Sequence, residues 1–260
     1  MNQLTILAKK EMVQFVREFK VVWLPLVFIF LGITQPVVTY YLPSILDALG
    51  GGQGITIDSS MTAQHGSEVL ASTLGSQFDQ LGIMIMVLSM MGIVQSDKAN
   101  GMLAFILTRP VTVGTYVSGK VLSTFMFIAS SVTLGYIASY MYTYFLFTSI
   151  PFTDLMVTLL FYLLWVAFIV SFTTMVSTMF NSQGVIACIS IVVLLGCRMI
   201  VGLNPILDHL NPASMSKHAM EVLVSGTFNS SVIGSIVATL LLSALAIHIS
   251  NMWISRRNKV

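Results

Sequence analysis

"SDKANGMLAFILTRPVTVGTYVSGKVLS", residues 96–123, holds both a near match to a phosphate-binding loop and the start of a long apolar run. A P-loop reads G-x-x-x-x-G-K-[ST]: its glycines let backbone N–H groups cradle phosphates, its lysine reaches them and its hydroxyl holds magnesium. Gly114, Gly119 and Lys120 fit, but Val121 stands where the hydroxyl is required. A P-loop also needs a strand before it and a soluble α/β core around it. Here Pro110 precedes the octapeptide and a run of membrane-span length follows. The segment therefore reads as two helices meeting at a turn. Ser96 or Asp97 caps a short helix whose Met102, Phe105 and Ile106 project from one side at i, i+3, i+4 spacing. Arg109 and Pro110 end it, and Thr112 caps the next helix, which carries Tyr116 and Lys120 into the apolar run. Gly114 and Gly119 are then close-packing positions and Lys120 an interface cation.

Composition points the same way. Of 260 residues, 56% are hydrophobic and 8% charged, against roughly 25% charged in an ordinary soluble domain. Mean hydropathy is +0.89, so the chain reads as an integral membrane protein facing lipid. A net charge of +2 argues against a nucleic-acid partner. Cys188 and Cys197 lie in an apolar run without metal-ligand spacing and read as packing residues. The charged residues Lys9, Lys10, Glu11, Arg17, Glu18 and Lys20 fall where a cleavable leader would need an apolar core.

A membrane-crossing helix takes about 20 mostly apolar residues, because its backbone must be satisfied within the segment. Six stretches qualify: 21–42, 77–95, 115–147, 155–180, 184–203 and 231–254. The all-α membrane fold expected is a six-helix domain over 21–254, with an amphipathic helix at 1–20 before it and a basic tail at 255–260 after it. Ten of the twelve Lys and Arg residues precede the first span, fall between the second span and the first turns of the third, or follow the sixth. The positive-inside rule then places both termini and the 96–114 loop in the cytoplasm. The 43–76 loop has Asp47, Asp58 and Glu68 but no basic residue, which places it outside.

Within residues 4–20, Ala8, Met12, Phe15, Val16 and Phe19 share one helical face, and Lys9, Lys10, Gln14, Arg17 and Glu18 occupy another. Such a helix lies in the headgroup plane, and running into Trp23 and Pro25 it forms an elbow onto the first span. Arg198 is the informative intramembrane charge. It falls in the outer half of span five, where pairing with Asp79, Asp208 or Glu221 or snorkelling would relieve its burial. His248 reads as a hydrogen-bonded core residue. His65, His209 and His218 lack metal-ligand spacing, so no metal site is expected.

An acidic residue, "NGML", a short apolar helix, "TRPV" and "GK" at the start of the next span resemble the cytoplasmic loop of ABC-2 type permeases, the membrane subunits of ATP-binding-cassette exporters. The resemblance extends to the amphipathic start, the six spans, the long first external loop and the re-entrant-like segment 204–230 with "LNPILDHLNPAS". It implies that the helix from Asp97 to Thr108 is a coupling helix docking on a separate ATPase subunit. Phe105 and Ile106, with Met102 on the same face, would be apolar anchors, and Asp97, Lys98 and Arg109 would orient the contact by charge. Two permease subunits, by default identical, and two ATPases would form the working unit in a bacterial cell membrane. ATP and magnesium would sit on the ATPases, leaving this chain without a cofactor or catalytic residue. The apolar spans suit an amphipathic or hydrophobic cargo.

Other classes remain to be weighed. A secondary transporter or channel should show inverted repeats, broken helices and midplane charges, and none is evident. A membrane-embedded enzyme would need paired carboxylates, a metal triad or a serine–base pair within the spans. A mechanical role, in which the same fold acts on a partner protein, is compatible with the sequence.

Overall fold

Six helices long and apolar enough to cross a bilayer organise the computed structural model, which describes residues 3–50, 65–103, 112–227 and 231–257. No strand occurs among the described residues. Helix α1 (Gln3–Arg17) turns into α2 (Lys20–Gly50), the first long apolar helix. The second spanning path is segmented: α3 (Gly66–Ser72), a π-helical stretch (Thr73–Gly82), α4 (Ile83–Met90), a turn and α5 (Gln95–Ala99). Then come α6 (Val113–Leu146), α7 (Phe152–Met179), α8 (Gln183–Ile200), the short α9 (Pro205–Leu210) and α10 (Ser214–Ser225), and finally α11 (Ser231–Arg257).

Two expected boundaries move. The chain stays helical through Pro25, Pro36 and Pro43 to Gly50, so the connector placed at 43–76 begins inside a helix. At ~1.5 Å per residue a helix of this length exceeds a ~30 Å hydrocarbon core, so it continues beyond the apolar layer. The second span likewise begins at Gly66, not at residue 77, because the polar residues Ser76, Gln77 and Asp79 are accommodated within the π-wound stretch. There the Ile83 N–H reaches back five residues to the Phe78 carbonyl. Such winding is wider than an α-helix, is rare, and frequently marks functional positions.

The short connections after α6 and α7 make α6, α7 and α8 successively antiparallel, and polar ties lock the ends of the spans. The Gly66 N–H donates to Thr148 Oγ1 at 2.9 Å, joining the start of α3 to the end of α6. At the other end, Lys98 Nζ donates to the carbonyls of Thr178 (3.1 Å) and Phe180 (2.7 Å) and so closes the C-terminus of α7. The first amides of α5, of Val94 and Gln95, donate to Ser177 Oγ on α7. Neither Ser96 nor Asp97 caps α5, because Val94 occupies the cap position and a hydroxyl from another helix does the work.

Trp165, Tyr116, Tyr136, Tyr162, Phe28 and Phe78 are the largest fully buried side chains apart from Lys120. Helix α10 is buried along Met215, Ala219, Val222 and Leu223, while α9 buries nothing. The 204–230 segment thus supplies one helix to the core. Helix α11 turns His248 outward with Leu241, Leu245 and Met252, so the expected core histidine is exposed; one stripe of that helix carries all four. Cys188 is exposed as well.

Helices α2 and α6 cross at glycine. A Cβ on Gly32 would lie 2.2 Å from the Gly135 carbonyl oxygen, and one on Gly135 would lie 2.5 Å from the Phe28 oxygen. Small residues permit such backbone contact between membrane helices. Gly135→Leu is therefore expected to separate α2 from α6 and cost about 1–3 kcal/mol or more. Gly196→Ala, where nothing lies within 4 Å, should be neutral or stabilise by up to about 1 kcal/mol. Thermal unfolding of both variants in detergent checks the contrast.

Candidate functional site

Helix α1 has an inner and an outer side. Glu11 and Phe15, four residues apart and hence on one face, turn inward and are 3% and 7% exposed. The Phe15 ring stacks on Phe127 of α6 with centroids 4.7 Å apart. Met12, Val16 and Phe19 are exposed. Phe15 therefore leaves the apolar face expected at the membrane surface, because its position on the helix also aligns it with Glu11. At the elbow Phe19 takes φ 56°, and α2 begins at the next residue. Lys20 Nζ pairs with Glu18 at 2.5 Å, and Gln14 Nε2 donates to Glu18 at 2.8 Å. Partial burial raises the Glu18 pKa, but the bonds from Lys20 and Gln14 outweigh it and hold the carboxyl below its ordinary value.

Lys120 lies beneath this helix. It is buried, and its Nζ is 3.0 Å from Glu11 Oε1 on α1 and 3.0 Å from Asp97 Oδ2 on α5. Tyr116, one helical turn before it on α6, donates its hydroxyl to Asp97 Oδ2 at 2.7 Å. Lys10 Nζ approaches Asp97 at 3.6 Å and Glu11 at 3.9 Å. Two ammonium groups, two carboxylates and one phenol, net neutral, thus join three helices. The P-loop lookalike is resolved by the same geometry. Gly114 to Lys120 are all helical, so no loop of N–H groups faces a phosphate, and the lysine is occupied by carboxylates. Thr112 Oγ1 caps this helix as the sequence indicates, accepting from the Thr115 N–H at 3.2 Å.

The proposed contact residues separate. Asp97 is buried in the ion cluster, and Lys98 is spent on the carbonyls ending α7, so both side chains tie the loop to the membrane helices. Met102 is exposed just after Gly101, whose φ of 66° breaks the helix expected to run on from Asp97. Phe105, Ile106 and Arg109 lie outside the described residues. Between α1 and this loop runs a groove of 680 Å³ lined by Lys9, Arg17, Asn100 and Met102 among others.

At the opposite end of the bundle, Arg198 finds the first of its anticipated partners. Its Nε donates to Asp79 Oδ2 at 2.5 Å, and the same oxygen accepts from Ser216 Oγ. The carboxylate comes from the π-helical stretch, the guanidinium from α8 and the hydroxyl from α10. Nearby Lys217 pairs with Asp208 at 3.0 Å. Slight burial raises the Asp208 pKa, but the Gly202 N–H and Lys217 outweigh it and leave it below the usual range. Among the described residues no three His, Cys, Asp or Glu side chains converge on one point.

The sequence marked Glu11 and Lys10 only as charges near the start of the chain, not as members of a site. Their signal is the scarcity of charge: a chain with ten acidic residues places Glu11 on the apolar side of α1, four residues from Phe15. Removing one partner of a buried ion pair costs about 3–5 kcal/mol. Lys120→Met, which leaves two facing carboxylates, is expected to destabilise by that order. Adding Glu11→Gln should recover part of the loss, since the two sites share one interaction. A double-mutant cycle read by thermal unfolding in detergent tests this, and simple additivity would refute the link.

The family model described as ABC-2 family transporter protein matches residues 5–253. An uncharacterized transmembrane protein of Bacillus subtilis (strain 168), YxlG, is 34% identical over 251 residues, which cover 95% of this chain and 96% of that one. With six apolar helices in the matched region, the chain is a multi-pass membrane protein belonging to the ABC-2 transporter family.

Proposed function

We propose that this chain is the permease subunit of an ABC exporter, converting ATP hydrolysis on a separate ATPase into movement of an amphipathic or hydrophobic cargo. The working unit contains two permease chains, by default identical copies related by a two-fold axis, and two ATPase subunits. ATP and magnesium belong to the ATPases. The chain lies in the bacterial cytoplasmic membrane with both termini and the 96–114 loop in the cytoplasm, as the distribution of Lys and Arg supports. Helix α1 rests at the headgroup level, where its exposed Met12, Val16 and Phe19 meet lipid and Lys9 and Arg17 meet phosphates. The connection between α2 and α3, and α9, face outside.

The observation that carries this reading is the Lys120 cluster. A push on the cytoplasmic loop reaches α5 first, and Asp97 of α5 is joined through Lys120 to α6 and Glu11 of α1. A desolvated ion pair resists separation far more than a surface one. Loop, elbow and third span therefore move as one body. The docking contacts themselves fall to Met102, Phe105 and Ile106, supported by their helical spacing, with Arg109 at the edge. Asp97 and Lys98 act one step further in, by holding the loop to the bundle. Arg198 with Asp79 holds α8 to the second span at the outer end.

The test is co-purification with the cognate ATPase, followed by ATP hydrolysis in nanodiscs. Phe105→Ala with Ile106→Ala is expected to lose co-elution and stimulated hydrolysis together. Glu11→Gln is expected to keep the complex and lower cargo-stimulated hydrolysis by about tenfold, equivalent to ~1.4 kcal/mol of lost coupling. Retention of the complex by the loop double variant would sink the docking assignment. Nucleotide binding by the isolated chain that Lys120→Ala abolishes would sink the whole reading.

A further inference from the structure

A cavity of about 330 Å³ opens behind α1, between the inner side of that helix, the end of α4 and the turn after it, and residues 124–128 of α6. One wall is apolar: Phe15 stacked on Phe127, with Leu88 and Ile128. Leu88 is also half-exposed on the outside of the bundle, so the apolar wall is continuous with the lipid-facing surface. The other wall is polar and unusually uniform in its chemistry. Glu11 and Glu18 are carboxylates, hence acceptors only, paired with Lys120 and Lys20 but with lone pairs to spare. Ser89 and Ser96 donate their hydroxyl protons to the Met86 and Gly92 carbonyls, which leaves only lone pairs toward the cavity. Gln14 and Gln183 each commit an amide N–H, to Glu18 and to Gln95. Thr124 Oγ1 lines the same cavity, is buried and has no hydrogen-bond partner. A buried hydroxyl left unmade costs about 1–3 kcal/mol, and a ligand group in the cavity would remove that cost.

We propose that this cavity binds the ammonium head of an amphiphile, with its alkyl chain running out past Leu88 into the bilayer. A primary ammonium is a donor-only cation with three N–H groups, complementary to the remaining lone pairs of the two carboxylates and of Ser89, Ser96 and Thr124. The volume lies at the low end of small-molecule sites, enough for a headgroup and its first chain carbons. Two sources carry this chemistry: an ethanolamine phospholipid of the membrane, and a free cationic amphiphile. The inference goes beyond the transport reading, because binding to the isolated chain needs no ATPase.

The test is native mass spectrometry of the full-length chain, stripped of lipid in a neutral maltoside detergent. It is titrated with dioleoyl phosphatidylethanolamine, dioleoyl phosphatidylglycerol and dodecylammonium. One bound ethanolamine lipid or dodecylammonium per chain is expected, with weaker binding of the glycerol lipid. Thr124→Leu fills the cavity without altering any charge, and Glu18→Gln removes one carboxylate at the partly exposed elbow. Each is expected to weaken binding by about tenfold. Mutual displacement of the two ammonium ligands identifies the ammonium as the group that is read. Binding of the phospholipid alone assigns the site to membrane lipid, and binding of dodecylammonium alone assigns it to a free amphiphile. Equal binding of phosphatidylglycerol, or unchanged affinity in both variants, overturns the proposal.

Discussion

One ammonium group, Lys120 Nζ, holds the basic end of this molecule together. It is shared at 3.0 Å by carboxylates from two other helices, so α1 and α5 are positioned on α6 and not merely beside it. Helix α1 would otherwise have little reason to stay. Its exposed side carries Met12, Val16 and Phe19, and Phe15 and Glu11 are what bind it inward. An isolated buried charge is prohibitive, and a paired one is tolerable only when every partner is present. The cluster therefore sets position by making every other arrangement worse.

The far end repeats the device with the signs exchanged. There a single carboxylate, Asp79, gathers the Arg198 guanidinium and the Ser216 hydroxyl from two other elements. Between these two polar knots the helices are held by shape: α2 against α6 at Gly32 and Gly135, and aromatic side chains such as Trp165 and Tyr162 in the centre. Lipid supplies no strong hydrophobic drive between helices, so close backbone contact and a few enclosed polar ties are the physical means available. The π-helical stretch belongs to this scheme, since it carries the polar residues of the second span, Asp79 among them, through the bundle.

For a transporter subunit, the two knots divide the labour. The outer one joins α8, α10 and the second span. The inner one joins the loop, the elbow and the third span, which are the parts a cytoplasmic motor would have to move together. The cavity behind α1 lies against the inner knot and is partly walled by one of its carboxylates, Glu11. An occupant there would sit beside the element to which the proposed function assigns the transmission of motion.

Much of this was legible in order along the chain. Runs of about 20 apolar residues can only be helices in lipid, so six spans follow from hydropathy, and the Thr112 cap and the failure of Gly114–Val121 as a phosphate loop follow from local chemistry. Arg198 could be assigned a set of acidic partners from its depth alone. The tertiary structure decided which carboxylate met which cation, since Glu11, Asp97 and Lys120 are far apart in sequence and their pairing depends on how α1 and α5 pack on α6. It also decided that Phe15 turns inward, that Asp97 and Lys98 are committed to the bundle, and that His248 faces outward. Periodicity fixes which residues share a face of a helix, but it carries no information about which face meets a neighbour, and in a chain that is apolar on nearly every side only packing makes that choice.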